Sequence, residues 1–432
     1  VNTDRNQGTD QESDRMIIRN AVIIDGTGGA PNPGYTVVVI AGKIDWIGPA
    51  ADEPNVVDAQ VIDGTGMYLT PGFIDAHVHL TMPAGQLGGA RMLDLPPRYG
   101  YYSAIPILKA TLDAGITTAR DLGGIDMATD VAIREGIIEG PELIYAYRAL
   151  GPTGGHGDFR TCCGFNLGQA VSPNGDIGFL TDGVDQAIRN TREVMRLGAK
   201  VIKVMASGGV WSPRDQPWHD GLNVDEMRAV VEEAASHDVP VAAHAQSARS
   251  IANALKAGVR SIEHAYEIDD AAIGLMLERG AFMVPTLSTG TTPPDPAKAA
   301  PYAVEKKLRL QEKLQTCVAN AVAAGVRVAM GTDAGVCPHG TNLTELGHLV
   351  DLGMKPIDAI NAGTLNAAEL LQIDNRTGSI ELGKEADLVL TPVDPLAGIH
   401  QLGNPDNIAV VVAKGRLKKN LLAAIPALEP VS

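Results

Sequence analysis

Hydrophobic and polar positions change their rhythm twice along this chain. From Arg15 to Thr70 they form short alternating runs between turn signals: Met16 to Ile18, Ala21 to Asp25, Thr36 to Ile40, Ile44 to Ile47 and Val61 to Asp63. That pattern predicts a small antiparallel sheet. After Pro71, apolar runs alternate with longer stretches of helical periodicity, the sequence form of a parallel α/β protein. Eight strand candidates follow in order: 73–80, 116–122, 143–149, 201–206, 239–245, 261–265, 282–287 and 326–333. Helices between them carry their own stop and start signals, such as Val184 to Leu197 between Asp182 and Gly198, and Val224 to His237 opened by Asn223 with Glu226 three residues on. Beyond Asp374, Ala386 to Leu390 and Ala409 to Ala413 return to strand-like alternation.

Eight parallel strands are the number that closes a TIM-type barrel. The expected fold is therefore α/β: a distorted (β/α)8 TIM barrel over 71–374, with a small β-sandwich domain formed by both chain termini, 15–70 and 375–432. Residues 1–14 are almost wholly polar and are expected to be a disordered tail.

Composition narrows the function classes. A chain of 432 residues with 45% hydrophobic content holds a large core, and a net charge of -16 argues against nucleic acid or an anionic membrane as partner. Four cysteines, two of them adjacent at Cys162 and Cys163, make no disulfide framework and no Cys-x-x-Cys pair. With no signal-peptide pattern at the start and no apolar run of spanning length, a cytoplasmic setting is expected. Cys162 and Cys163 read as space-filling residues.

The chemistry begins at Pro71-Gly-Phe-Ile-Asp-Ala-His77-Val-His79. Side chains two apart on a strand share a face, so both imidazoles point at one place, and imidazole is the commonest ligand for zinc and its neighbours. On the predicted strands, His77 and His79 end the first, Lys203 lies in the fourth, His244 ends the fifth, His264 the sixth and Asp333 the eighth. Barrel enzymes keep their active sites at this rim. A single strand-end histidine is ordinarily structural; six coordinating groups on one rim are not. Lys203 needs modification to serve, because an ammonium repels a cation, but an amine in an apolar strand is readily uncharged and can add carbon dioxide to give a metal-bridging carbamate.

These residues identify the chain as resembling the amidohydrolase superfamily, in its binuclear branch with a carboxylated lysine. The resemblance implies one metal held by His77, His79 and Asp333, a second by His244 and His264, and carboxylated Lys203 between them. Two divalent ions are expected, zinc first, with cobalt, manganese or iron compatible. A metal-bridging hydroxide would attack the carbonyl, and Asp333 would pass its proton to the leaving nitrogen.

The loop Gly151-Pro-Thr-Gly-Gly-His156-Gly-Asp158 leaves the third strand and would hang over the metals. It resembles the loop of a subgroup containing Xaa-Pro and Xaa-Arg dipeptidases, ochratoxin amidases and phenylurea hydrolases, in which Arg148 and His156 match residues near the substrate. His156 is assigned a catalytic, substrate-contacting role. Gln246 stands where the dipeptidases of that subgroup carry a tyrosine used on the substrate carboxylate, which adds weight to a substrate without one. Trp211 and Trp218, on the loop after the fourth strand, are candidates for an apolar substrate wall or for packing that loop onto the barrel.

The expected activity is hydrolysis of a linear amide-type C–N bond in an N-acyl amino acid, dipeptide or related small molecule. An aryl urea, anilide or carbamate is the alternative, and a lactone or phosphotriester a further one, since the same chemistry can attack either. A homo-oligomer is compatible with the sequence.

Overall fold

The computed structural model describes residues 14–82, 95–96, 98–166, 178–297 and 299–422. All of the expected polar tail but Asp14 lies outside them. The N-terminal strands are β1 (Arg15–Ile23), β2 (Asn32–Ile40), β3 (Lys43–Pro49), β4 (Gln60–Asp63) and β5 (Tyr68–Pro71). Ten central strands follow: β6 (Phe73–Val78), β7 (Ile116–Asp121), β8 (Glu142–Tyr145), β9 (Ala149–Gly151), β10 (Gly178–Leu180), β11 (Ile202–Met205), β12 (Val241–Ser247), β13 (Ser261–Glu267), β14 (Phe282–Val284) and β15 (Arg327–Val328). The chain closes with β16 (Leu388–Thr391), β17 (Val410–Ala413) and β18 (Arg416–Asn420).

The first and last groups make one eight-stranded sheet, ordered β18-β17-β16-β5-β1-β2-β3 with β4 also on β1. It is mixed rather than purely antiparallel, because β1 pairs in parallel with both β4 and β5. Alternation along its strands serves two cores. Leu388, Leu390, Val410 and Val412 pack with Met16, Ile18 and Ile23, whereas Val389 and Val411 join the core of the central strands. A sheet buried on both faces needs apolar residues on both, which is why these strands read as near-continuous hydrophobic runs.

Every pairing among the central strands is parallel. They form a three-stranded sheet, β6-β7-β8, and a seven-stranded one, β10-β9-β11-β12-β13-β14-β15. Each of the eight predicted stretches contains a regular strand. The third is broken in two: β8 pairs with β7 and β9 with β11, and between them Tyr147 takes a left-handed backbone, φ 66°. The eighth is regular only at Arg327–Val328, yet its continuation lies along β6. The Ala76 N–H donates to Met330 O at 2.8 Å, the Asp333 N–H to His77 O at 2.8 Å and the His79 N–H to Ala334 O at 2.7 Å. Those three bonds fix Asp333 beside His77 in β6 and His79 just past it.

Helices cover the outside. In Val224–Ala235 the Asn223 side chain accepts from the Glu226 N–H at 3.0 Å while Glu226 accepts from the Asn223 N–H at 2.8 Å, the reciprocal cap its sequence predicts. Val184–Arg196 is capped instead by Gly183, because the Asp182 carboxylate is taken by Thr153. Among the described residues, no helix is long and apolar enough to cross a membrane.

Candidate metal centre

One cavity opens at the C-terminal ends of the central strands, and His77, His79, Lys203, His244, His264 and Asp333 all line it. Strand geometry brings them there. His77 lies near the end of β6, and Lys203, His244 and His264 lie on the neighbouring parallel strands β11, β12 and β13, with Lys203 opposite Ala242, His244 opposite Met205 and His264 opposite Ala245. Ring centroids lie 5.0 Å apart for His77 and His264, 4.6 Å for His244 and His264, and 5.5 Å for His77 and His79. Ligand atoms of His77, His264 and Asp333 fall within 4.8 Å of one another, a group able to hold a cation.

The backbone is strained where these side chains are aimed. His264 (φ 75°), Ala265 (φ 55°), Thr286 (φ 50°) and Asp333 (φ 59°) all occupy the left-handed region. Each such non-glycine residue costs about 1–3 kcal/mol, and such conformations concentrate at functional sites. Gly335 supplies room as well, since a Cβ there would come within 2.8 Å of His79 O.

Each imidazole spends one nitrogen outside the cavity. The Nδ1 of His79 lies 2.9 Å from Gly123 O, and the Nε2 of His244 3.0 Å from Gly208 O; a carbonyl can only accept, so both nitrogens carry the proton. His77 Nδ1 meets the Glu263 carboxylate at 2.8 Å, and His264 Nδ1 meets Thr286 Oγ1 at 2.8 Å. Glu263 is held in turn by Arg120 at 2.8 Å and by Ser261. Such outer partners set the tautomer and ring orientation of metal-binding histidines. What remains is a set of bare lone pairs facing each other, with Asp333 Oδ1 3.4 Å from His79 Nε2 and 3.6 Å from His77 Nε2. Acceptors placed so closely require a cation or a proton between them, and the donor set therefore fits divalent metal.

Burial drives the electrostatics. It holds His77, His244 and His264 well below the usual imidazole range, and pulls His79 down to about 4. A neutral imidazole is the form that binds metal. Burial likewise pulls the Lys203 ammonium down to about 8 and pushes the Asp333 carboxyl up to about 7. Both shifts have one main cause, the cost of a charge in an enclosed site, and shifts of this kind cluster at functional sites.

The outer residues sort differently. His156 lines the cavity, stacks on His244 with centroids 4.4 Å apart, and is tied through Nδ1 to Ser212 Oγ at 3.0 Å, with Asp215 bonded to Ser212 behind it. Trp211 and Gln246 also line it. Arg148 and Trp218 do not: Arg148 sits over the Phe179 ring at 4.7 Å, and Trp218 lies beneath Arg309 at 3.4 Å, packing its loop. Cys162 and Cys163 are exposed and fill no space.

Several participants escaped the sequence reading. Glu263 and Arg120 are charged residues inside buried strands, and that mismatch was their only signal. Asp75 is another: fully buried, it accepts from Thr332 Oγ1 at 2.7 Å and Asn342 Nδ2 at 2.8 Å, which pins the segment carrying Asp333 to β6.

Parallel strand ends carrying buried neutral imidazoles, a carboxylate and a lysine in one cavity define a metal-dependent hydrolytic centre. Comparison with known proteins agrees. The model of the amidohydrolase family matches residues 68–418, and this chain belongs to that family. It is a hydrolase acting on amide-type C–N bonds. The ochratoxinase of Aspergillus niger is 32% identical over 94% of this chain and 87% of its own length; the A. niger ochratoxinase crystal structure superposes with a TM-score of 0.82, covering 95% of this chain and 96% of that one. A prolidase crystallised with N-methylphosphonate-L-proline is 32% identical, with a TM-score of 0.87 over 94% of this chain and all of the other. Phenylurea hydrolase B, at 21% identity and a TM-score of 0.75 over 96% of this chain and 99% of the other, shares the fold.

Proposed function

We propose that the chain is a binuclear amidohydrolase that cleaves the linear amide of an N-acyl amino acid, a dipeptide or a close relative. The observation that carries this is the cavity floor: four histidines, each with its outer nitrogen engaged, around Lys203 and Asp333. His77, His79 and Asp333 would hold one divalent ion, His244 and His264 the other, and a carbamate on Lys203 would lie between; zinc suits this donor set. The ions would polarise the substrate carbonyl and make water nucleophilic at neutral pH.

The protein's own groups do the rest. Asp333 takes the proton from the attacking water and delivers it to the departing nitrogen, so that the amine leaves neutral. His156 gives its Nδ1 proton to Ser212, whose hydroxyl donates in turn to Asp215, and its ring stands over His244; to donate from Nε2 to the oxygen of the tetrahedral intermediate it must carry a second proton, the charged form that the Asp215 carboxylate favours. Met82, Phe159, Val210 and Trp211 wall the cavity with apolar surface that limits water. The likeness to a prolidase bound to a proline phosphonate supports an amino-acid amide.

A second reading, an aryl urea, anilide or carbamate, is favoured by Gln246, whose Oε1 is buried without a hydrogen-bond partner, and by the aromatic wall. The terminal sheet and the central strands are read as two domains, 15–70 with 375–432 and 71–374, the central strands forming a distorted eight-stranded barrel and the terminal sheet curling into a sandwich. The three bonds joining β6 to the segment after β15, and the separate core of the terminal sheet, support this. We assign the enzyme to the cytoplasm.

The test is turnover of a panel: N-acyl amino acids and dipeptides, aryl ureas and anilides, a lactone and paraoxon. The reading predicts kcat/KM highest for the first group. Preference for the ureas would favour the second reading, and activity confined to the lactone or paraoxon would overturn both.

A further inference from the structure

Two adjacent lysines on the helix Pro301–Ala323 are buried to nearly the same degree, Lys306 with 3% and Lys307 with 5% of its surface exposed. Their surroundings differ. Lys306 donates to Gly209 O at 3.1 Å, to Ser212 O at 2.6 Å and to Asp215 O, with the Asp215 carboxylate 3.5 Å away. Its three protons and its charge are all answered, and it anchors the loop behind His156. Lys307 has one partner among the described residues, Thr289 O, and no carboxylate within ion-pair distance. It lines the metal-centre cavity. An ammonium with three donors and a single protein acceptor, facing a cavity, has two protons left for whatever fills that cavity, and an anion answers its charge as well.

Apart from the groups on the cavity floor, the lining is largely apolar, and Lys307 is the second lysine there; the Asp333 carboxylate acts on it through space, without a direct ion pair. Thr289, whose carbonyl holds Lys307, also donates its hydroxyl to Thr332 O at 3.1 Å, so the lysine is fastened to the segment that carries Asp333. In an N-acyl amino acid the carboxylate is carried on the carbon next to the scissile nitrogen, so a substrate whose amide reaches Asp333 holds its carboxylate in the cavity that Lys307 also lines.

We propose that Lys307 is the residue that recognises a carboxylate on the substrate, which places the enzyme among hydrolases of acidic amides: N-acyl amino acids or dipeptides with a free carboxylate rather than their neutral counterparts. This deepens the proposed function and rests on it. It also removes the difficulty raised by Gln246, because a buried lysine supplies the charge a phenol would not. Lys307 binds; it is given no part in bond breaking.

The experiment compares an N-acyl amino acid with its own primary amide, on the intact enzyme and on Lys307→Met, which keeps the length and apolar stem. The wild type is expected to prefer the acid. Lys307→Met should raise KM for the acid about 30-fold or more, as expected on removing one partner of a buried charge pair, with kcat within a few-fold and KM for the amide unchanged. Binding of the free amino-acid product, measured by calorimetry, should weaken in parallel, and metal content should match the wild type. Lys307→Gln guards against a folding defect. Equal handling of acid and amide by the wild type, or an equal kcat loss on both substrates in Lys307→Met, would overturn the inference while leaving amide hydrolysis standing. Failure of the wild type to cleave any linear amide would instead remove the reading on which it rests.

Discussion

The floor and the outer wall of the cavity are built by different means. On the floor, His77, His79, Lys203 and His244 sit on or just past regular parallel strands, where register decides position, and behind the histidines lie a carboxylate, a hydroxyl or carbonyls. The wall is made by loops: His156 and Phe159 from the segment after β9, Val210 and Trp211 from the one after β11. There a residue's place depends on how its loop packs, as with Lys306 clamping three carbonyls between Gly209 and Asp215. Strands give a floor suited to one chemistry, and loops a wall that can be changed to suit the substrate.

If that division is right, damage to the floor should remove metal or chemistry, and damage to the wall should alter binding or pace. The largest effect is expected for Lys203→Ala, which should abolish turnover and halve the metal content measured by elemental analysis. Asp333→Asn should lose about 10²–10⁴-fold in kcat, the range for a missing general acid–base, while retaining much of the metal. Glu263→Gln, which loosens His77 and strands Arg120, should weaken metal affinity about 10–100-fold in a chelator titration. On the wall, Gly209→Ala would push a Cβ to 2.3 Å from the His156 ring, and misplacement of that ring should cost about 10–100-fold in kcat with metal content intact. Smallest of all, Trp218→Phe should leave kcat and KM unchanged and cost about 0.5–1 kcal/mol in a denaturant melt, through its stacking with Arg309.

The same division explains what could be read in the sequence. The donors from His77 to Asp333 were visible because strand periodicity is simple and the eight apolar runs are well punctuated. The break in the third strand was not, since nothing in Tyr145-Ala-Tyr-Arg148 announces a left-handed residue at Tyr147. Arg148 was a substrate candidate through the family resemblance and Trp218 a candidate for substrate wall or loop packing; Arg148 sits over the Phe179 ring and Trp218 under Arg309. The partners behind the floor, Glu263, Arg120 and Asp75, lie in different strands far apart in the chain, and only the folded arrangement reveals that they belong together. Lys307 was hidden for another reason: nothing in two consecutive lysines on a helical stretch tells that both are buried.

Metal content per chain, measured by elemental analysis on protein purified without chelators and paired with turnover before and after chelation, tests the central claim most directly. The account predicts two equivalents of divalent metal, turnover that disappears with them, and recovery when they are restored. Protein that holds no stoichiometric metal, or that keeps its full turnover after chelation has emptied it, would contradict the account.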